Sequence, residues 1–251
     1  MTGLKSKKKK VLLAIGGWND SEGDKYSRLV NSKASRKTFV SQVVSFLEEN
    51  NFDGLDLDWE YPKCWQVDCS LGPKEDKQGF TDLIRELHFA FKTKGQHYYP
   101  LYKIDFTHLN FLGLLLTAAV SPSNKVIEEA YDVAALDMWL DYVSVMAYDY
   151  HGQWDKMTGH VAPMYQHKDD TNQYFNTVKC NQENHLLCNV DVKNFTVDYW
   201  LSEGLRPEKL VLGMPMYGQS FTLDSAADNG LNAASIGGGT AGQFTRAKVR
   251  S

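Results

Sequence analysis

The chain is expected to adopt an α/β fold, a (β/α)8 or TIM barrel present only in part, and three observations point to it. Short apolar strands alternate with amphipathic helices along the 251 residues, the pattern of parallel βαβ units whose sheet is covered on both faces. The polar and aromatic residues that stand out, around Trp18, Glu60 and Tyr148, lie where strands run into the loops that follow them, as active residues do in a barrel. No Gly-x-Gly-x-x-Gly loop follows any of these apolar strands, which weighs against the alternative of a doubly wound nucleotide-binding sheet.

The elements follow in order. Val11 to Ile15 is a leucine-rich and β-branched run closed by Gly16-Gly17-Trp18, a buried strand ending in a tight turn. Ser35 to Asn50 has helical spacing, with Phe39, Val43, Phe46 and Leu47 on one face and Asn50 as its stop. A strand within Asp53 to Pro62 comes next, then a loop holding Cys64 and Cys69, then a helix over Gly79 to Lys92 through Phe80, Leu83, Ile84, Leu87 and Phe91. Leu114 to Val120 is an apolar strand ended by Ser121-Pro122. Val126 to Leu140 reads as one helix, Tyr142 to Ala147 as a strand, Phe195 to Glu203 as a short helix, and Leu210 to Gly213 as a last strand before Pro215. That is five strands where a closed barrel needs eight, so the barrel is expected to be short at both ends.

Residues Asp53 to Pro62 read DGLDLDWEYP and carry the chemistry. Asp56, Asp58 and Glu60 are spaced by two, and a strand sends alternate side chains to one face, so the three carboxyl groups should project together. Leu55, Leu57 and Trp59 would point the other way, with Trp59 packed against helices. Acids this close cannot all ionise freely, so at least one should hold a proton near neutral pH, the usual way to make a general acid of a carboxyl group. Asp53 and Tyr61, at the ends of the run, suit supporting hydrogen bonds.

Composition narrows the function classes. With 43% hydrophobic and 12% aromatic residues the chain should bury a sizeable core, and a net charge of −4 gives no sign of a nucleic-acid partner. The basic run Lys5 to Lys10 reads as a solvated end. The longest apolar run, Phe111 to Val120, is too short to span a bilayer, so no membrane is expected, and the first ten residues lack the apolar core of a signal peptide. Four cysteines allow three disulfide connectivities; local pairing of Cys64 with Cys69 and Cys180 with Cys188 is the expectation. Their spacings match no common zinc site, and no metal or other cofactor is expected. An oxidised, extracellular setting is favoured, and the triplets Asn19-Asp20-Ser21 and Asn194-Phe195-Thr196 are compatible with it.

The acid strand resembles the D-G-x-D-x-D-W-E-Y-P signature of glycoside hydrolase family 18, and four further segments fall in that family's order, in a pattern similar to arthropod chitinases. Ala14 to Trp18 resembles the third-strand segment, Leu116 to Pro122 the fifth, Val145 to Asp149 continuing through Trp154 the sixth, and Leu212 to Gly218 the seventh. On this resemblance strands three to seven are present, while strands one, two and eight and most of a small α+β insertion are missing. Residues 1–251 are then a partial catalytic domain, 236–251 the truncated start of that insertion, and 96–113 an atypical stretch that is either a loop or a gene-model artefact.

The resemblance implies retaining hydrolysis of β-1,4-linked N-acetylglucosamine polymers, with the substrate's own acetamide as nucleophile. Glu60 would protonate the glycosidic oxygen, Asp58 would orient the acetamide and stabilise the oxazolinium ring, and Asp56 would set the protonation of Asp58 as a coupled pair. Tyr148 would donate to the acetamide oxygen and Asp149 would contact the sugar. Sugar rings present apolar C–H faces, so a chitin cleft needs exposed aromatics: Trp18 and Trp154 are the first candidates and Tyr217 the next, with Met146 as floor packing. His151 and His160 suit structural roles. Gln219 departs from vertebrate-type relatives, which often carry Arg there. The implied partner is chitin or a chitooligosaccharide, acted on by a monomer. A chitin-binding lectin of the same fold, which typically loses the acid that Glu60 retains, and an endo-β-N-acetylglucosaminidase are the competing readings.

Overall fold

In a computed structural model of the chain, residues 7–92, 113–165, 167, 176–177 and 196–240 are described. The chain divides into two compact units, the first comprising Met1–Ser121, Lys125–Val145 and Glu203–Val211 and the second Pro122–Asn124, Met146–Ser202 and Leu212–Ser251.

The first unit is built on a sheet of five strands, β1 (Leu12–Gly16), β2 (Gly54–Asp58), β3 (Leu115–Val120), β4 (Tyr142–Val145) and β5 (Leu210–Leu212, whose last residue is counted with the second unit), lying side by side in chain order. The first three neighbouring pairs are parallel, with Ala14 opposite Asp56 and Asp56 opposite Thr117. A doubly wound sheet reverses its strand order at a switch point. None occurs among the described residues, and unbroken order is what a barrel wall requires. Among the described residues β1 and β5 are the free edges.

One face of the sheet is apolar and closed over. Leu55, Leu57, Leu116, Ala118, Val120, Val143 and Val145 are all buried, as alternation demands of side chains turned towards a helical layer. That layer comprises α1 (Lys25–Val30), α2 (Lys33–Glu49), α3 (Glu75–Lys92) and α5 (Val133–Trp139). The helix α2 starts at Ser32, whose hydroxyl accepts from the Ser35 N–H at 3.2 Å. Helix α3 buries Phe80, Leu83, Ile84, Leu87 and Phe91, the stripe its sequence spacing requires. Arg36 of α2 is buried between them, donating to Glu86 at 3.0 Å and to the Val30 carbonyl at 2.6 Å.

The helix expected over Val126 to Leu140 is in fact two, α4 (Asn124–Ala130) and α5. Asp132 breaks the run: its backbone is extended and its carboxylate accepts from the Ala135 N–H at 3.0 Å, capping α5. Apolar periodicity continues through such a cap, which is why the sequence reads as one element.

The second unit contains α6 (Thr196–Ser202) and an antiparallel pair, β6 (Phe221–Leu223) and β7 (Ser235–Gly238). The stretch expected at 236–251 thus begins inside β7, and its remainder beyond residue 240 lies outside the described residues. The atypical stretch 96–113 lies outside them except for Gly113, as do Cys180, Cys188 and Asn194. The Cys64–Cys69 disulfide is present. Among the described residues no helix is long and apolar enough to cross a membrane.

Candidate active site

Within the first unit the acids stand at the carboxyl end of β2. Asp56 and Asp58 are half-buried on the face opposite the buried Leu55 and Leu57, so the sequence alternation is realised. Strand β2 ends at Asp58, however, so pleating sets the direction of two acids and Glu60 belongs to the loop beyond. Trp59 turns inward as expected, between Tyr26 at 5.7 Å and Phe80 at 6.2 Å between ring centroids.

Register explains the surroundings of Asp56. Its partners across the ladder are the small residue Ala14 and the hydroxyl-bearing Thr117, and the Thr117 hydroxyl donates to Asp56 Oδ1 at 2.5 Å. Asp58 is treated differently. Its Oδ1 is buried with no hydrogen-bond partner among the described residues. Burial and then the charge of Asp56 raise its carboxyl from an ordinary 3.8 to about 6. Asp58 thus holds a proton more readily than an ordinary aspartate does.

The loop after β1 lies against this strand end. Gly17 N–H donates to the Asp58 carbonyl at 2.6 Å. Gly16 has φ +111°, and a Cβ there would sit 2.1 Å from the Asp58 carbonyl oxygen, so only glycine allows the approach. Trp18 is half-buried, and its carbonyl accepts from Gln66 Nε2 at 2.7 Å. Glu60 is half-buried; its N–H donates to Ser21 Oγ at 2.9 Å and its carbonyl accepts from the Gln66 N–H at 3.2 Å. The Glu60–Tyr61 peptide bond is cis. Tyr61 and Tyr131 are buried, which pushes both phenols well up, and the Glu60 and Asp58 charges act in the same direction. The supporting role expected of Asp53 is visible: its carboxylate accepts from the Val11 N–H at 2.8 Å.

Other side chains of this unit escape sequence reasoning. Asp76, fully buried at the start of α3, accepts from Ser27 Oγ at 2.6 Å, Asn31 Nδ2 at 2.7 Å, Trp65 Nε1 at 3.0 Å and the Lys63 N–H at 3.2 Å. It ties the loop that follows Glu60 to α1. A lone Asp at a helix start reads as a first-turn acid, and nothing local reveals four donors. Thr117 was detectable in principle, as a hydroxyl inside an apolar strand.

The second unit holds the remaining candidates. Met146 follows β4 directly and is buried, fitting packing better than display. Tyr148 is half-buried and meets Tyr217 edge-on at 6.2 Å. Asp149 is exposed, with φ +56°, and its carboxylate accepts from Gln219 Nε2 at 2.7 Å and from the Tyr217 hydroxyl. Burial and that hydrogen bond push the Tyr217 phenol up. Trp154 is 50% exposed. Its ring comes close to Gly152, where a Cβ would come within 2.4 Å of the indole, so the glycine makes room for the ring. His151 is held by Asp155 at 3.2 Å, in line with a structural role. Among the described residues no cluster of His, Cys, Asp and Glu is arranged to hold a metal ion.

Parallel strands in sequential order, with carboxylates at the carboxyl end of an inner strand, are the layout of barrel-fold enzymes. The chain belongs to the glycosyl hydrolases family 18, whose profile matches residues 1–249. It is 47% identical over 247 residues to probable chitinase 10 of Drosophila melanogaster, covering 98% of this chain and 9% of that protein. The second catalytic domain of Ostrinia furnacalis Group II chitinase, solved as a mutant in complex with (NAG)5, superposes with a TM-score of 0.82 at 52% identity, covering 98% of this chain and 55% of that one. Human YKL-39, described as a pseudo-chitinase with retained chitooligosaccharide binding, matches with a TM-score of 0.72 at 35% identity, covering 95% and 56%. The chain thus spans about half the length of the solved relatives it matches.

Proposed function

We propose that the chain carries the catalytic acids of a chitinase, hydrolysing β-1,4 linkages between N-acetylglucosamine units with retention, through the substrate's acetamide. Glu60 protonates the leaving oxygen. Asp58 orients the acetamide and balances the oxazolinium charge, and Asp56 governs its protonation. Tyr148 donates to the acetamide oxygen, Asp149 and Tyr217 contact the sugar, Trp18 and Trp154 stack on sugar faces, and Met146 supplies packing. The observation that carries the proposal is the unequal treatment of two adjacent aspartates. Asp56 is held by Thr117, whereas Asp58 keeps a buried oxygen with no partner among the described residues and a raised affinity for protons. A carboxyl that waits for a cationic neighbour or a donor from the substrate has this character. The protein is proposed to act outside the cell, as a monomer, and the Cys64–Cys69 disulfide supports the oxidising setting.

The test compares turnover of a chitooligosaccharide with that of a high-mannose glycopeptide, for the wild type and for Glu60→Gln. Turnover of the chitooligosaccharide should be the faster. In the variant it should fall by about 10³-fold or more with oligosaccharide affinity unchanged within about twofold, since the acid acts mainly in the transition state. Faster cleavage of the glycopeptide, or near-normal turnover by Glu60→Gln, would overturn the proposal. Binding without turnover by the wild type would move the chain to the lectin-like reading, the behaviour described for YKL-39.

A further inference from the structure

We propose that Ser21 is a positioning residue for the proton donor, its buried hydroxyl setting the backbone between Asp58 and Glu60; this rests on Glu60 acting as that donor. Ser21 is fully buried. Its hydroxyl accepts from the Glu60 N–H at 2.9 Å and donates to the Asp58 carbonyl at 3.3 Å, so a single oxygen spans the chain on either side of Trp59. The two bonds are unequal in consequence. The Asp58 carbonyl also accepts from the Gly17 N–H at 2.6 Å and sits at the last ladder position of β2, paired with Gly16. Glu60 lies past the end of the strand, where no ladder holds it. Removing the hydroxyl therefore leaves the Asp58 carbonyl its Gly17 donor and takes from the Glu60 N–H its Ser21 acceptor, shifting one acid relative to the other. A displacement of about 1 Å in a reacting group costs roughly 10²-fold in rate.

The loop that presents Ser21 is itself fixed. The Ser21 N–H donates to the Gly17 carbonyl at 2.8 Å. Asp20 accepts from the Tyr26 hydroxyl at 2.5 Å and from the Lys25 ammonium group. This gives a second meaning to Asn19-Asp20-Ser21, which in sequence is a glycosylation triplet. Asn19 is exposed, but the hydroxyl that completes the triplet is turned into the protein against the acids. The two meanings separate by substitution, because Asn19→Gln destroys the triplet and keeps the hydroxyl, Ser21→Thr keeps both, and Ser21→Ala loses both.

The 251-residue chain and these three variants, produced in a secreting eukaryotic host, would be measured for hydrolysis of a fluorogenic chitooligosaccharide and for amide hydrogen exchange at Glu60. For Ser21→Ala, kcat should fall by about 10- to 100-fold with KM within about twofold. Exchange at Glu60 should accelerate at least about tenfold, while exchange at Leu55 and Leu116 in the core strands stays unchanged. Ser21→Thr should recover most of the loss, and Asn19→Gln should match the wild type in both measurements. Wild-type kcat and Glu60 exchange in Ser21→Ala would overturn the proposal. So would acceleration spread evenly over the core strands, which marks general loosening, or a loss in Asn19→Gln as large as in Ser21→Ala, which assigns the effect to a glycan. If the wild type turns over no chitooligosaccharide, the chitinase reading fails, and exchange at Glu60 still decides whether Ser21 sets that backbone.

Discussion

Asp58 concentrates the electrostatic cost of the acid strand. Its folded value of about 6 lies above its ordinary 3.8, so the folded protein binds this proton more tightly than the unfolded chain does. The associated stability is fully present below about pH 4 and is lost as pH rises through 6. In full the difference is worth roughly 3 kcal/mol, and solvent at a half-exposed carboxyl reduces it to about 1 to 2 kcal/mol. Asp58→Asn should therefore melt higher than the wild type at pH 7.5 and lose that advantage by pH 4, in thermal melts recorded across this range. Gly16 is the second residue whose identity is dictated by its neighbour. Gly16→Ala would drive a Cβ into the Asp58 carbonyl at a positive φ, and should cost about 2 to 3 kcal/mol in denaturant titrations.

Among the elements, the segment between β2 and α3 depends on Asp76. Four donors from α1 and from the loop after Glu60 converge on its carboxylate. Asp76→Ala strands them in a buried site and should cost about 3 kcal/mol or more, seen as a lowered midpoint in urea unfolding. The break between α4 and α5 depends on one cap. Asp132→Ala removes the acceptor for the Ala135 N–H and should cost only about 1 kcal/mol, so the two substitutions rank the elements by how many donors each carboxylate serves.

At the largest scale the two edges of the described sheet govern behaviour. Among the described residues β1 and β5 are paired on one side only, and Val211 on β5 is 44% exposed. Unpaired strand edges recruit other chains. The isolated chain should scatter light increasingly with concentration, and Val211→Lys should suppress the increase by placing a charge on the edge. Equal scattering by wild type and variant would show that this edge is not where association begins.

Much of this was legible from local pattern. The strand and helix alternation, the inward turn of Trp59 and the shared face of Asp56 and Asp58 follow from spacings of two, three and four residues, because pleat and helical pitch act on neighbours, and the Cys64–Cys69 bridge joins cysteines five residues apart. What failed locally was termination: β2 stops at Asp58, and Asp132 splits a continuous apolar stripe, both decided by where hydrogen-bond partners lie. The residues the sequence did not disclose, Thr117 beside Asp56, Ser21 beneath Glu60 and Asp76 under the loop, act on partners 61, 39 and 13 residues away along the chain. The sequence by itself determined the fold class, the family and where the acids lie along the chain. Only the tertiary structure decided how far Asp58 is buried and which serine meets the backbone of Glu60, because burial and long-range hydrogen bonding exist only once distant segments have met.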